Sequence, residues 1–275
     1  MKEQLQIDHE VRLRVLEEVA KDIRTALGSL DQKFDARLLL VIGLVFTSII
    51  IPVYFNSYQT FHLTGDCIGS IREHTNSVKT PYEIILVING VTAIKLENLQ
   101  QSYADKVITN EENLGFSKAV NKGIRVSKGE YIAIVNNDVK VFDHWLEDMQ
   151  QVQQSGIDLV MGTPMHGEPF ARAIEANKKR EKTFQVGLGI SSFTDFSCVL
   201  TTKDLFNKIG LFDERFYMYC EDLDLIRRIE KVGGKVASTK LVNTHHIGQA
   251  TSYGIGETPE IMNKSKELLK SIWGY

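Results

Sequence analysis

The chain has no excess of charge of either sign: 32 Lys and Arg stand against 35 Asp and Glu, giving a formal net charge of -3. This excludes the broad basic footprint on which non-specific nucleic-acid binding depends, so no nucleic-acid partner is expected. Cysteine is scarce. Cys67, Cys198 and Cys220 are odd in number, far apart and without a Cys-x-x-Cys pair, which argues against a zinc cluster and a disulfide scaffold and fits a reducing cytoplasm. The residues up to Arg37 carry mixed charges, not the basic start and apolar core of a signal peptide. No glycine-rich phosphate loop follows the first expected strand, which disfavours a nucleotidyltransferase.

Long apolar runs are nearly missing too. The one exception extends from Leu38 to Ile51, broken only by Gly43, Thr47 and Ser48, and continues through Pro52, Val53, Tyr54 and Phe55. It only just reaches the roughly 20 residues that a spanning helix needs. Its β-branched part, Ile49 to Val53 with Pro52 inside, reads better as a buried strand and a turn. Contact with a membrane surface or a second copy of the chain through residues 5–51 is the alternative use of this region.

What the chain does have is 43% apolar content over 275 residues, enough for a substantial core. Leu5, Leu13, Leu16, Val19, Ala20, Ile23, Leu27 and Leu30 recur at helical spacing, an amphipathic helix whose mixed polar face suits packing on the rest of the chain. Beyond Ser48, apolar runs alternate with helical patterns. Strands are expected at Ile49 to Val53, Glu83 to Ile88, Lys106 to Thr109 and Tyr131 to Asn136. Helices are expected at Leu63 to Thr75, Ile94 to Tyr103 and Phe116 to Ser127. This alternation predicts an α/β fold with a mostly parallel, doubly wound sheet. Right-handed crossovers then bring the loops at Tyr54, Asn89, Asn113 and Asn136 to one edge.

The run Tyr131 to Val135 ends in Asn136, Asn137 and Asp138. In open α/β sheets ligands bind outside the carboxyl ends of the strands, so Asp138 is a site candidate, with an Asx turn as the plainer use of the same residues. A second carboxylate candidate opens a later helix. Asp222 lies three, four and seven residues before Leu225, Ile226 and Ile229, on the stripe that faces the core. Acids there also suit a helix N-terminus, and Asp224 with Arg228 has the spacing of an ordinary helix ion pair. The segment from Met161 to Phe193 is glycine-rich and carries the charge run Asn177 to Lys182. It is expected to be a mobile acceptor loop or a solvated face.

Several of these stretches resemble glycosyltransferase family 2, in its rhamnosyltransferase-like branch. They are Ser48 to Tyr54, Glu83 to Gly90, Asn113 to Gly123, the Asn136-Asn137-Asp138 strand end, and Phe212 to Arg228, in that order. The resemblance implies a GT-A fold, a nucleotide-sugar donor, a glycan or lipid-linked acceptor, inversion at the anomeric carbon, and Mg2+ or Mn2+. By the same resemblance Asp222 is the general base and Glu221 orients the site. Asp138 and His246 hold the metal, with His245 as alternate. Pro52, Tyr54, Asn89, Asn113, Gly115, Phe116, Asn136 and Asn137 line the donor, and Asp195 lines the acceptor cleft.

Two departures stand out. Asn136 occupies a position where a second acid is common, and Ile88 replaces the acid that recognises the base. They motivate a runner-up reading, an impaired carbohydrate-binding or assembly subunit. The expected division is residues 1–37 as helix and linker, 38–256 as the glycosyltransferase domain and 257–275 as a terminal helix. The expected location is the cytoplasm, with peripheral contact at the inner face of the membrane.

Overall fold

The computed structural model describes residues 46–77, 79–91, 104–166, 169–179, 184–186, 195–248 and 258–274. The expected N-terminal helix and linker, the start of the apolar run at 38–45 and the helix expected around Ile94 to Tyr103 lie outside the described residues. Among the described residues, no helix is long and apolar enough to cross a membrane.

The chain opens with β1 (Thr47–Phe55), α1 (Tyr58–His74), β2 (Tyr82–Val91), β3 (Lys106–Asn110), α2 (Phe116–Val126) and β4 (Tyr131–Val135). These pair in parallel in the order β3-β2-β1-β4, the doubly wound unit expected from the alternation. Next come β5 (Val139–Lys140), α3 (Trp145–Gln154), β6 (Leu159–His166), α4 (Phe170–Lys179), β7 (Phe184–Val186), β8 (Cys198–Thr202) and α5 (Lys203–Ile209). The last elements are α6 (Glu221–Lys231), β9 (Val236–His246) and α7 (Thr258–Trp273). Strand β8 runs antiparallel between β4 and β6, β6 is parallel to β9, and β5 and β7 pair antiparallel with β9. The segment expected as an acceptor loop is therefore largely built into the fold. It contains the end of β6, all of α4 and β7, because β9 offers β6 and β7 an edge to pair with.

The strands alternate their side chains between two cores. On one face, Ile49, Ile51, Leu86, Ala133 and Leu200 pack under α1 and α3 through Ile68, Ile71, Leu146 and Met149. On the other, Ile50, Ile85, Ile132, Ile134 and Val199 pack under α2, α5 and α6 through Val120, Leu205, Leu225 and Ile229. Central parallel strands buried on both faces need such continuous apolar runs.

Pro52 sits inside β1 without breaking it. Thr47 donates its N–H toward the β2 side, to the Pro81 carbonyl at 3.0 Å, so alternate residues including Pro52 face β4. The β1–β4 pairing ends at Ile50, and the proline ring falls where no donor is needed.

Candidate active site

The carboxyl ends of β2, β1 and β4 lie side by side, and the loops leaving them are cross-linked. The buried Asn89 amide is saturated: it donates to Asn113 Oδ1 at 2.8 Å and Gly115 O at 3.0 Å, and accepts from Asn110 Nδ2 at 2.9 Å and Leu114 N at 3.0 Å. Both of its hydrogens and both of its acceptor positions are thereby used. Asn89 thus anchors the 113–115 loop, with every hydrogen-bonding position of its side chain taken up. Ile88 beside it is fully buried in the α1-side core.

The anchored loop docks on a later segment. Phe116 N donates to Tyr217 O at 2.7 Å, and the Tyr217 hydroxyl donates to Asn113 O at 3.3 Å. Gly115 has a φ of 86°, and a Cβ there would lie 2.4 Å from Tyr217 O, so only glycine allows this approach. Burial and then the neighbouring Tyr54 push the Tyr217 phenol up. Thus Tyr54, Asn113, Gly115 and Phe116 meet as expected, around a tyrosine that the sequence did not single out. Pro52 is buried in β1. Asn137 is buried with its amide on Thr64 Oγ1 at 3.2 Å, and Asn136 is tied by its N–H to Ser197 O at 2.8 Å.

Past β4, the two-residue strand β5 sets a register in which Val139 faces His246, and Ile247 N donates to Asp138 O at 3.2 Å. This brings Asp138 Oδ1 to 3.2 Å from His246 Nε2. In the β6–β9 ladder His166 is the partner of His246, and the two rings lie 4.6 Å apart. Asp195 reaches the same group: its Oδ1 accepts from Ser197 N at 2.7 Å, while its Oδ2 lies 2.7 Å from His166 Nε2 and 3.5 Å from His246 Nδ1. At that distance the buried His246 Nδ1 has charge attraction to Asp195 but no hydrogen-bond partner.

The electrostatics follow from this crowding. Burial lowers the His246 pKa, but Asp138 and Asp195 outweigh it and hold it up at about 9. Burial pushes the Asp195 carboxyl up, yet the adjacent His246 imidazole and hydrogen bonding from Ser197 keep it well below the usual range. His166, Asp195 and His246 place one ligand atom each within 4.8 Å of one another, a set that could hold a metal ion. The Asp138–His246 spacing also fits adjacent ligands of a cation bound at about 2.1 Å, which stand about 3 Å apart. His166 was not anticipated, because only strand pairing brings it to His246 across 80 residues of chain.

The other expected carboxylates form a different environment. Tyr219 and Cys220 precede α6 with φ values of 70° and 66°, left-handed conformations that cost about 1–3 kcal/mol each and persist only where the surroundings enforce them. Helix α7 does so. Ser265 Oγ donates to Met218 O at 2.7 Å, Trp273 Nε1 donates to Asp224 Oδ1 at 3.1 Å, and Leu269 packs with Phe216 and Cys220.

Within α6, Glu221 is buried with Oε2 unpartnered, and burial followed by the Asp222 charge pushes its pKa up to about 8. Asp222 is half-buried, and its Oδ1 accepts from Leu223 N at 2.8 Å. It was expected to point into the core, but at the helix start the apolar stripe runs out of the core, so Glu221 and Asp224 are the buried pair. Asp224 makes the expected ion pair with Arg228, Nε to Oδ2 at 2.8 Å, and Arg228 Nη1 also caps the carbonyls of Ile209, Gly210 and Leu211. That arginine is structural.

The parallel-rich sheet with the antiparallel strand β8 between β4 and β6 is a GT-A fold. A solved structure of GalNAc-T7 with UDP, GalNAc and Mn2+ shares the fold at a TM-score of 0.57 and 14% identity, over 74% of this chain and 44% of that one. The model of Glycosyl transferase family 2 matches residues 48–210, and the chain belongs to that family. Glycosyltransferase GlyG of Streptococcus pneumoniae is 34% identical over 120 residues, 42% of this chain and 38% of its own length. An N-acetylglucosaminyl-diphospho-decaprenol L-rhamnosyltransferase of Mycobacterium tuberculosis is 23% identical over 200 residues, 57% of this chain and 64% of its own. The chain thus spans less than two thirds of either relative.

Proposed function

We propose that the protein is an inverting glycosyltransferase that moves a sugar from a nucleotide-diphosphate donor to a hydroxyl of a glycan or lipid-linked acceptor. The observation that carries this reading is the pairing of two unlike acidic centres on one sheet edge: Asp138 against His246, and Asp222 beside Glu221. Asp138 and His246 would hold a divalent cation, which when bound offsets the charge that develops on the leaving diphosphate. A donor set containing imidazole suits Mn2+ better than Mg2+, which prefers oxygen and water.

Asp222 takes the proton from the acceptor hydroxyl as its oxygen bonds to the anomeric carbon and the bond from that carbon to the diphosphate oxygen breaks. Glu221 keeps its proton at neutral pH and orients Asp222, leaving one carboxylate of the pair free to accept. The loop of Asn113, Gly115 and Phe116, with Tyr54 and Tyr217, would line the donor. The similarity to a rhamnosyltransferase supports a 6-deoxyhexose donor and a lipid-linked acceptor; of the 5–51 stretch expected to meet a membrane or a second copy, Thr47 to Ile51 are instead buried in β1.

A second reading, a binding or assembly subunit, is favoured by one observation: Ile88 is core and Asn89 is saturated, so no acid stands where the base would be read. The two readings part on turnover. Incubation with UDP-, dTDP- and GDP-sugars and Mn2+, reading nucleoside diphosphate release in the presence of glycan and polyprenyl-diphosphate-sugar acceptors, is expected to give acceptor-dependent release that Asp222→Asn abolishes. Binding of a donor with no release under any pairing would leave the second reading standing.

A further inference from the structure

The two imidazole nitrogens of His246 face different carboxylates: Nε2 is 3.2 Å from Asp138 Oδ1 and Nδ1 is 3.5 Å from Asp195 Oδ2. Only one of them can turn its lone pair to a cation while the ring stays neutral, and the other then carries the hydrogen. Two arrangements compete. The cation could sit among His166, Asp195 and His246 Nδ1, with Asp138 outside. Otherwise it sits at Asp138 and His246 Nε2, with Asp195 accepting the Nδ1 hydrogen and His166 bracing Asp195 from behind.

The structure favours the second. Asp195 already has defined occupations: its Oδ1 is fixed by Ser197 N at 2.7 Å, and its Oδ2 is engaged by His166 Nε2 at 2.7 Å. That is the posture of a carboxylate held in place to orient a ring. Asp138 is 5% exposed and leaves β4 at the carboxyl edge of the sheet, where the donor loops gather, whereas the His166 side chain is 52% exposed. A metal-bound histidine normally donates its other N–H to a carboxylate, which fixes the tautomer and aims the ring. The buried, partnerless Nδ1 of His246 is the hydrogen-bonding position that such an arrangement would fill.

We propose that Asp195 and His166 form an outer relay behind the cation site, in which His166 braces Asp195 and Asp195 orients His246, so that His246 is the single nitrogen ligand. This rests on the metal-holding role given to Asp138 and His246 above. It moves Asp195 from the acceptor cleft, where the family resemblance put it, to a positioning role, and it gives His166 a function.

The test is Mn2+ binding read without turnover, by electron paramagnetic resonance titration for affinity and by pulsed nitrogen couplings for the number of bound imidazoles. In wild type one directly bound nitrogen is expected. His246→Gln should remove it. Asp195→Asn should weaken Mn2+ affinity by about 10–100-fold, the usual effect of losing an outer carboxylate, and retain the single nitrogen coupling. His166→Gln should weaken it less than Asp195→Asn does and also retain the coupling. Two bound nitrogens in wild type, or loss of one in His166→Gln, would overturn the relay while leaving a metal site intact. An absence of Mn2+ binding at folded, circular-dichroism-normal protein would overturn both the relay and the metal role beneath it.

Discussion

Asp138 and Glu221 are both buried acids at the ends of secondary-structure elements, yet their neighbours are opposite in kind. Asp138 meets His246, behind which stand Asp195 and His166. Glu221 meets another acid, Asp222, and has an oxygen with no hydrogen-bond partner. In the first environment Asp195 and His246 favour one another's charged forms, so the position suits positive charge. In the second, burial and like charge favour the protonated carboxyl, so Glu221 keeps its proton. A single sheet edge thus offers a place for a cation and a place for a proton, which is what transfer from a diphosphate to a hydroxyl requires.

The contrast can be broken from either side. The largest effect is expected from Asp222→Asn, which should lower turnover by about 100–10,000-fold, the usual contribution of a positioned base, with Mn2+ affinity unchanged; initial-rate assays beside metal titration check both halves. Gly115→Ala comes next. Its Cβ would strike Tyr217 O, so the 113–116 loop must leave its dock, and nucleoside diphosphate affinity measured by calorimetry should fall by at least about tenfold, a loss of about 1.4 kcal/mol, while Mn2+ alone still binds.

Glu221→Gln sharpens the comparison through pH. The folded-state pKa of Glu221 is raised to about 8 from 4.5, so the proton is held by the folded chain more tightly than by the unfolded one. The associated stability is complete below about pH 4.5 and is lost as pH rises through about 8. Thermal melts should therefore find the variant gaining on wild type between pH 5 and pH 9. The smallest effect is expected from Trp273→Phe, which removes the Nε1 donor to Asp224 but keeps the ring. It should cost about 1–2 kcal/mol, a few degrees in Tm, and lower kcat more than it raises KM, since α7 holds the strained entry to α6.

The sequence carried the doubly wound half of the fold because its signals are local. Continuous apolar runs rich in β-branched residues, such as Ile84 to Ile88, and the helical spacing of Val120 and Ile124 need no knowledge of the rest of the chain. The candidate site residues were legible where a motif falls at the boundary of an element, as at Asp138, Glu221 and Asp222. It was not legible where pairing between distant strands decides. His166 meets His246 only through the β6–β9 ladder, and α4 and β7 form within a stretch that composition reads as loop because β9 supplies their partner. Asn89 was readable as a loop-edge polar residue, but its use as an anchor depends on Asn110, Asn113 and Leu114 arriving together. Asp195 was placed by resemblance in the acceptor cleft, and its contacts with both histidines appear only once β6 pairs with β8 on one side and β9 on the other.

The central claim is that one acidic centre serves the cation and the other serves the proton. Calorimetric titration of UDP, dTDP and GDP into wild type, His246→Gln and Asp222→Asn, with and without Mn2+, tests it most directly. At least one nucleoside diphosphate is expected to bind wild type and Asp222→Asn in a Mn2+-dependent manner, with that dependence lost in His246→Gln. Equal binding with and without Mn2+ in wild type, or loss of Mn2+ dependence in Asp222→Asn, would contradict it.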